Sequence, residues 1–516
     1  MLLICYQCGL NAQPITFIKN YEASGQLGRA WAQAKSFNNG FIISGGGIDS
    51  SGNPYRCLIR LDSLGNFQWS KHYDNDQVGA FSIISYNSLK YLQGGLGHYL
   101  LSNGLSPANL TMFDTTGDIL WSKNYTDSVH ALSILSTDRC KNSNEIISLG
   151  SSYDVNSLNF KIFLLKSDFA GNIIWSKEYY TTNFNGDPKK LIITFDGNFL
   201  IYGISNSGGM SFLIKTDTSG TILWSRAYCL NGGGTDYLKE TGDKGFILTG
   251  SGIGVYNMFL MKMDSMGIIQ WVKTYLTPMG CRGECLDITT DKGYIIAGLT
   301  GNVDTLGGSG EGCFLVKTDS LGNMQWCTNP GGIGPGFWPR LVTQVYDGGF
   351  FVRADISNVL TLSIMKTDSS GHIGTCYELP VTTVVANAIC TDSNINFTVT
   401  PLQLYIAIPT INTHPGGVFT TVCDPVGVEE IKKEETEIRV YPNPFNSRLR
   451  VGNWKLEVGE KAEIKIYDLM GELVFEKELS SNQTEEVLNL SFLQQGVYFL
   501  NLKSNGGSYT KKVVKL

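Results

Sequence analysis

The sequence predicts an all-β protein in which a seven-bladed β-propeller is followed by a small C-terminal β-sandwich. Three observations support this prediction. A strand-like segment of the form Trp-Ser-Lys-x-Tyr recurs about every fifty residues, and half a copy of it stands near the N-terminus. The last part of the chain alternates apolar and polar residues without the repeat. Four short strands per repeat at such a period are typical of propeller blades.

The composition fits many short strands joined by tight turns. The chain has 516 residues, of which 59 are glycine and 17% are charged, and its net charge is −6. This profile excludes the high charge of a disordered chain and the basic character of a nucleic-acid-binding protein. The sequence contains no run of about 18 apolar residues, so we expect no membrane-spanning helix.

Each copy of the repeat contains one tryptophan and one Asp-x-x-Gly turn. In "MFLMKMDSMGIIQWVKTY" two strands flank such a turn, in which Asp can accept backbone hydrogen bonds and Gly can adopt a positive φ. We interpret these segments as turns rather than calcium sites, because they lack the alternating oxygen ligands of a calcium loop. The tryptophans are Trp69, Trp121, Trp175, Trp224, Trp271 and Trp326.

The seventh copy is incomplete. Residues 346–380 supply three strands, but Thr375 stands where the tryptophan is expected. The segment "FIKNY" at residues 17–21 matches "WSKNY" and can supply the missing outer strand of the last blade. This closure would remove a sheet edge that otherwise invites pairing. The segment "CYELPVTT" at residues 376–383 is the competing candidate for the same position.

Four regions follow one another along the chain. Residues 1–13 resemble the end of a secretory signal peptide, and residues 14–380 are predicted to form the propeller. Residues 381–437 are predicted to be a Thr/Val-rich connector and charged linker, and residues 438–516 a separate C-terminal domain. Twelve cysteines are present. Some of them can pair in an exported protein, but the sequence does not determine which.

The variable loops are predicted to emerge at one end of the strands, which makes that end the expected functional face. Aligning the first strands of several repeats on the glycine that follows them brings charged and aromatic residues to the mouth of the channel. These residues form either mutually paired rim charges or a ligand-binding mouth. The candidate ligand-binding residues are Arg29, Trp31, Asp236, Arg282, Glu284, Trp338 and Arg340.

No catalytic motif is found in the sequence. The five histidines are scattered, and neither His-Glu-x-x-His nor Gly-x-Ser-x-Gly occurs. The sequence therefore predicts that the protein is not an enzyme and holds neither a cofactor nor a metal. An extracellular polysaccharide lyase or glycoside hydrolase with Asp236 and Glu284 as its carboxylate pair is one alternative. A structural surface-coat protein is another.

Four motifs occur in order near the C-terminus: Tyr-Pro-Asn-Pro, Ile-Tyr-Asp-x-x-Gly, Leu-x-x-Gly-Val-Tyr and a terminal Lys-Val-Val-Lys. With them this segment closely resembles the type A C-terminal sorting domain of the type IX secretion system. The resemblance implies passage through the Sec route and the outer membrane of a Gram-negative bacterium, and removal of the domain by a sortase-like peptidase. The motif residues are Tyr441, Pro442, Asn443, Pro444, Tyr467, Asp468, Gly471, Gly496, Tyr498 and Lys512.

The repeat region resembles proteins with Lys-Thr-Asp-Ser-x-Gly-Asn-x-x-Trp repeats that often carry this sorting signal, a family without a defined activity. Products of this route are attached to surface lipopolysaccharide or released. We therefore expect an exported, monomeric binding protein at the cell surface or in the medium. Its function would be adhesion or recognition of a glycan or protein, with no nucleic-acid partner.

Overall fold

The computed structural model describes residues 16–21, 26–36, 40–48, 54–63, 65–74, 79–97, 105–127, 129–141, 143–154, 159–183, 185–205, 210–229, 237–252, 257–278, 280–300, 312–330, 337–356, 361–374, 383–409, 411–415, 419–423, 439–452, 462–468, 473–479, 485–504 and 507–516. Every regular element in these ranges is a β-strand, which confirms the predicted all-β class. Within them we find no helix suited to crossing a membrane. The chain divides into two compact units, Met1–Pro425 and Val426–Leu516. The predicted signal-peptide remnant, residues 1–13, lies outside the described residues.

The first unit is built from seven antiparallel sheets, numbered here in chain order, with four recurring strands in each. The N-terminal strand is β1 (Phe17–Tyr21). Sheet 1 contains β2 (Gln26–Lys35), β3 (Phe41–Ile48), β4 (Pro54–Leu61) and β5 (Phe67–Asp74). Sheet 2 contains β6 (Ala80–Asn87), β7 (Lys90–Leu96), β8 (Ala108–Asp114) and β9 (Ile119–Thr126). Sheet 3 contains β10 (His130–Arg139), β11 (Ile146–Asp154), β12 (Asn159–Ser167) and β13 (Ile173–Tyr180).

The remaining sheets repeat this pattern. Sheet 4 contains β14 (Gly186–Ile193), β15 (Phe199–Ser205), β16 (Met210–Thr216) and β17 (Ile222–Cys229). Sheet 5 contains β18 (Tyr237–Glu240), β19 (Phe246–Ser251), β20 (Met258–Met263) and β21 (Ile269–Leu276). Sheet 6 contains β22 (Cys281–Ile288), β23 (Tyr294–Thr300), β24 (Gly312–Thr318) and β25 (Met324–Thr328). Sheet 7 contains β26 (Phe337–Gln344), β27 (Phe350–Ile356) and β28 (Thr361–Thr367), and its fourth strand is β1.

Each sheet packs against the next one along the chain, and sheet 7 packs against sheet 1. Strand β1 pairs with β28, with Phe17 opposite Lys366, which is the placement that the half copy "FIKNY" predicted. Phe17 shares a core with side chains of both sheets, among which the rings of Phe41 and Phe351 stack at a centroid distance of 3.6 Å. Sheets 1 and 7 are therefore neighbours in space although they lie at opposite ends of the repeat region.

The recurring Trp-Ser-Lys-x-Tyr segment joins each sheet to the next through the Asp-x-x-Gly turn, and we call this contact the latch. Trp69 packs on Gly117, where a β-carbon would lie 2.8 Å from the indole ring. The hydroxyl of Tyr73 donates to the Gly117 carbonyl at 2.6 Å, and Lys71 Nζ lies 2.6 Å from Asp118. Gly117 also has a φ of 82°, so both its conformation and its neighbour require glycine.

The latch is repeated around the first unit. The tyrosine hydroxyls donate to the corresponding glycine carbonyls at 2.6 to 2.8 Å in five successive contacts, and Thr328 takes this role on Gly371. Lys19 of β1 donates to Asn66 in the turn of sheet 1, as the equivalent Lys123 donates to Asn172. The N-terminal strand therefore contacts sheet 1 in the way that each outer strand contacts the sheet after it.

A second recurring contact holds the hairpin between the first two strands of a sheet. In sheets 4 to 7 a buried lysine of the third strand pairs with an aspartate of this hairpin at 2.7 to 2.8 Å. Each lysine places a cation in a buried position, which is stable only when it is paired. The pairs are Lys215 with Asp196, Lys262 with Asp243, Lys317 with Asp291 and Lys366 with Asp347.

Residues 384–423 add a fifth strand to six of the seven sheets, and we call this segment the belt. Sequence analysis expected a connector here, but the structure contains six short strands. Each belt strand is antiparallel to the outer strand of a sheet, and the sheets are visited in the order 5, 4, 3, 2, 1 and 7. The strands are β29 (Val384–Asn387), β30 (Asp392–Asn394), β31 (Thr398–Pro401), β32 (Tyr405–Ala407), β33 (Asn412–Pro415) and β34 (Phe419–Cys423).

The second unit contains two sheets that share one core. One sheet has the order β35 (Arg439–Tyr441), β36 (Arg448–Gly452) and β39 (Glu485–Asn489). The other has the order β38 (Leu473–Leu479), β37 (Ala462–Tyr467), β40 (Gly496–Ser504) and β41 (Gly507–Lys515). Alternate side chains of both sheets are buried, as the alternating sequence predicted. The core includes Phe445, Leu449, Val451, Ile464, Ile466, Leu488, Leu500 and Val513.

We expect Tyr125→Phe to lower the free energy of unfolding by about 1 to 3 kcal/mol, because it removes a buried hydrogen bond and leaves the Gly171 carbonyl without that donor. Denaturant unfolding of the purified full chain measures this change. The matched control is Tyr346→Phe, in which an exposed hydroxyl is removed. Equal stability of the two variants would contradict the role assigned to the latch.

The hairpin ion pairs predict a loss of stability in acid. Partial burial opposes ionisation of Asp243, but hydrogen bonds from Lys262, Thr241 and the Gly245 amide outweigh it and lower the pKa to about 2. A carboxyl pKa that is lower in the folded state stabilises the protein above its unfolded value of about 4. This contribution is lost as the pH falls from about 4 to about 2. The carboxylate is half exposed, so we expect about 1 kcal/mol.

Urea unfolding between pH 2 and pH 6 tests this prediction. Asp243→Asn should be less stable than the parent protein at pH 6 and should lose less stability on acidification. Parallel stability curves for the variant and the parent would contradict it. Glu478→Gln, which removes an exposed carboxylate of β38, serves as a control for a change in surface charge alone.

Candidate functional site

The first strands of six sheets carry a β-bulge at the same level. At each bulge one residue has no partner on the second strand, so the strand bends and the side chain is redirected. In β18 the corresponding position, Asp236, precedes the described residues. The bulged residues are Trp31, Phe81, Leu135, Lys189, Glu284 and Arg340.

The second strand makes room for the bulge with a small residue. A β-carbon on Gly298 would lie 1.9 Å from the Arg282 carbonyl oxygen, and one on Gly95 would lie 2.1 Å from that of Gly79. In sheet 7 the small residue is Ala354, which pairs with Pro339 beside the bulge. The glycine within each second strand is therefore a sequence signal for the bulge, and sequence analysis did not use it.

Five of the six bulged residues, Phe81, Leu135, Lys189, Glu284 and Arg340, line a cavity of about 460 Å³. The first strand of every one of the seven sheets contributes to its lining, from Ala32 of sheet 1 to Leu341 of sheet 7. Five cationic and two anionic side chains line it, and three further carboxylates, those of Asp187, Asp287 and Asp355, pair with four of the five cations. The charged lining residues are Asp138, Lys189, Lys190, Lys239, Glu284, Arg340 and Arg353.

Four of the predicted ligand-binding residues come together beside this cavity. Glu284 is buried, and its carboxylate lies 2.9 Å from Arg282 Nε and 3.7 Å from Arg340 Nη1. The guanidinium carbon of Arg282 lies 4.5 Å from the ring centroid of Trp338, and that of Arg340 lies 5.5 Å from it. The indole therefore lies within cation–π range of two guanidinium groups, and such contacts are attractive.

The ion-pair network continues into the second strand of sheet 7. Arg340 Nε lies 3.0 Å from Asp355, whose other carboxylate oxygen is 2.7 Å from Arg353 Nη2. Three guanidinium groups thus share two carboxylates, Glu284 and Asp355. Each guanidinium has five N–H donors in a fixed plane, so this cluster is suited to planar acidic groups such as carboxylates.

A second charged group faces the cavity from sheets 3 and 4. Lys190 Nζ lies 5.5 Å from the ring centroid of Tyr237, and its pKa is lowered, chiefly by burial. Burial also raises the pKa of Asp138, which accepts a hydrogen bond from the Arg139 amide. Lys189 pairs with Asp187 at 2.5 Å, whereas no described carboxylate oxygen lies within 4 Å of Lys190 Nζ.

The predicted site residues differ in how fully the structure describes them. Arg282, Glu284, Trp338 and Arg340 are described together, and Arg29 and Trp31 lie in β2, although their side chains are outside the described set. Sequence analysis missed Lys189 and Lys190 because it aligned the repeats on a hairpin glycine that sheet 4 replaces with Asn198. Among the described residues, no group of His, Cys, Asp or Glu is arranged to hold a metal ion.

In the second unit, the Tyr-Pro-Asn-Pro motif is hydrogen-bonded to the terminal Lys-Val-Val-Lys motif. The Asn443 side chain donates to the Lys512 carbonyl at 2.8 Å and accepts from the Val514 amide at 2.9 Å. Phe445, directly after the Tyr-Pro-Asn-Pro segment, is buried, and its amide donates to Val514. Of the other motif residues, Tyr498 donates to the Gln494 carbonyl at 2.8 Å. Gly471 lies outside the described residues.

Comparisons with known proteins identify the second unit. Residues 439–516 match the family model described as "Secretion system C-terminal sorting domain". No curated protein matches the chain.

Three solved structures show distant similarity. The acylaminoacyl peptidase of Pyrococcus horikoshii is 10% identical, with a TM-score of 0.40, and the match covers 68% of this chain and 51% of the peptidase. A glycosyl hydrolase from Bacteroides ovatus is 8% identical, with a TM-score of 0.24 over 45% of this chain and 83% of the hydrolase. Dimeric latent PorU from Porphyromonas gingivalis is 12% identical, with a TM-score of 0.14 over 98% of this chain and 34% of PorU. The chain thus spans about half the length of the peptidase.

The sorting-domain match confirms the predicted route. A C-terminal sorting domain of this kind is read by the type IX secretion machinery, with which the chain therefore interacts. The protein is exported by the type IX secretion system, to the cell surface or into the medium.

Proposed function

We propose that the protein is an exported binding protein whose first unit is a closed seven-bladed β-propeller with an acidic glycan as its ligand. The packing of each sheet on the next supports the closed ring, as does the shared core of sheets 1 and 7. The lining of one cavity by the first strands of all seven sheets supports it further, because these strands surround the axis of a propeller.

The observation that best supports a binding role is the charge of this cavity. Five cations and two carboxylates line about 460 Å³, although the chain as a whole has a net charge of −6. Four of the five cations pair with carboxylates of the chain itself, whereas no described carboxylate oxygen lies within 4 Å of the partly buried Lys190 Nζ, so a bound anion would compensate this charge. The volume admits a few sugar units but not a folded protein, which favours a glycan over a protein ligand.

The chemistry of the lining favours acidic sugar units. Guanidinium and ammonium groups bind carboxylates and sulfates through charge-assisted hydrogen bonds. Glu284 is engaged in ion pairs with Arg282 and Arg340, so its role here is to hold these two arginines in place. Adhesion through such a ligand fits a protein that reaches the cell surface, where a sortase-like peptidase would remove the sorting domain.

Lys190→Met tests the ligand class, because it removes a cavity charge and keeps a side chain of similar length. We expect the purified full chain to bind uronic-acid-containing or sulfated glycans, and the variant to bind them at least tenfold more weakly. Lys161→Met, which removes a lysine that does not line the cavity, is the control. Calorimetric titration at two salt concentrations measures the affinities.

Three outcomes would contradict this proposal. Equal affinity for acidic glycans in the parent and in Lys190→Met would show that the cavity is not their binding site. Release of shortened glycans would favour the lyase or hydrolase alternative. A folded protein that binds no glycan on a broad panel would favour a protein partner or a structural surface coat.

Removal of residues 436–516 tests the export signal. We expect the truncated protein to accumulate in the periplasm, because the type IX machinery no longer has the domain that it reads. Fractionation of cells and immunoblotting of the surface and medium fractions measure this. Lys161→Met in the full chain should be exported like the parent, and surface display of the truncated protein at the parental amount would refute the assignment.

A further inference from the structure

We infer that Cys229 and Cys390 form a disulfide in the exported protein, which fastens the belt to sheet 4. Cys229 is the last residue of β17, and Cys390 lies two residues before belt strand β30. The two strands pair, with Tyr228 opposite Asp392. The cysteines therefore lie next to each other at the end of one strand pair, although 161 positions separate them in the sequence.

The described contacts place the two side chains within disulfide reach. Cys390 Sγ lies 3.4 Å from the Cys229 carbonyl oxygen, and the Cys229 amide donates to the Thr391 carbonyl at 3.1 Å. A carbonyl oxygen lies about 2.4 Å from the Cα of its own residue, so Cys390 Sγ is no more than about 6 Å from Cys229 Cα. The inferred bond requires a rotation about the side-chain bonds and a Cα separation within the range that disulfides allow.

Accessibility separates this pair from most of the other described thiols. Cys229 is exposed, and Cys390 and Cys327 are half-buried, whereas Cys57, Cys140, Cys281, Cys285 and Cys313 are buried. Burial raises the pKa of Cys57 and of Cys313 to about 12 and that of Cys390 to about 11, so none of these three is the thiol that reacts first with an oxidant. Only a thiol that an oxidant can approach undergoes exchange, and the export route takes this chain through an oxidising compartment.

The reaction is an ordinary thiol–disulfide exchange with a disulfide oxidant of the cell envelope. The thiolate of Cys229 attacks one sulfur of the oxidant's disulfide and forms a mixed disulfide, while the other oxidant sulfur leaves as a thiolate. The thiolate of Cys390 then attacks the Cys229 sulfur, forms the protein disulfide and releases the oxidant as a dithiol. The two cysteines lose two protons and two electrons in total, and the oxidant gains the electrons.

The belt strand that this disulfide would fasten makes few contacts with its neighbour. Strand β30 pairs with β17 at only three positions, and one side-chain ion pair, Arg226 with Asp392 at 2.6 Å, supports it. A short edge strand of this kind opens easily. A disulfide here would close a long loop that includes the strands of sheets 5 and 6, so it would restrict the unfolded chain strongly.

Peptide mapping of the full chain, exported to the periplasm of a Gram-negative host and alkylated without reduction, tests the inference. Trypsin with chymotrypsin cleaves after Tyr377 and Phe397, which separates Cys390 from Cys376 and Cys423. We expect the peptide 378–397 to be joined to the peptide that contains Cys229, with a mass about 2 Da below the sum of the reduced peptides, and to separate on reduction. The control Cys327→Ser should leave this pair unchanged.

A thermal measurement gives an independent readout. Reductant should lower the Tm of the parent protein by about 4 °C and leave that of the double variant Cys229→Ser, Cys390→Ser unchanged. Alkylation of both cysteines in the unreduced protein would overturn the inference. A disulfide from Cys390 to any other cysteine would overturn it as well.

Discussion

The first unit depends on the latch between the outer strand of one sheet and the Asp-x-x-Gly turn of the next. A four-stranded sheet cannot bury both of its faces alone, so its stability comes from its neighbours. The latch fixes each neighbour through an indole on a glycine, a tyrosine hydroxyl on that glycine's carbonyl, and a lysine at the end of the turn. Because Lys19 repeats the last of these contacts on sheet 1, the same interaction that stacks the sheets also joins the two ends of the repeat region.

The latch could be predicted in outline because it repeats, and repetition makes a local pattern visible in one sequence. The turns, the tryptophans and the place of "FIKNY" all follow from that pattern. The belt could not be predicted, because its strands are three to five residues long and their partners lie far away in the sequence. Nothing in "DSN" or "YIA" identifies the outer edge of a sheet as its partner. The charged cavity could be predicted only in part. Glu284 and Arg340 followed from the alignment of the repeats on the hairpin glycine, but Lys190 required the glycine signal for the bulge.

The belt explains how six of the seven small sheets of the first unit avoid association through their outer edges. An outer strand with unpaired backbone groups invites another chain to pair with it. In six sheets the described belt strands cover this edge, and they do so in the reverse of the chain order, so that the belt crosses from sheet to sheet over the outside of the first unit. Backbone bonds such as that from the Leu402 amide to the Ser176 carbonyl supplement the ladders. Threonine and valine suit this task, because β-branched side chains favour extended pairing at a half-buried edge.

The six described bulges give equivalent positions to six different side chains, and the chemistry of these side chains bears on the function. Trp31, Phe81 and Leu135 of sheets 1 to 3 are apolar, whereas Lys189, Glu284 and Arg340 of sheets 4, 6 and 7 are charged. A cavity with only a structural role would be more stable with apolar residues throughout, because buried charges must be compensated. The described bulge positions of sheets 4, 6 and 7 instead carry charges, and the acidic ligand proposed above would account for their retention.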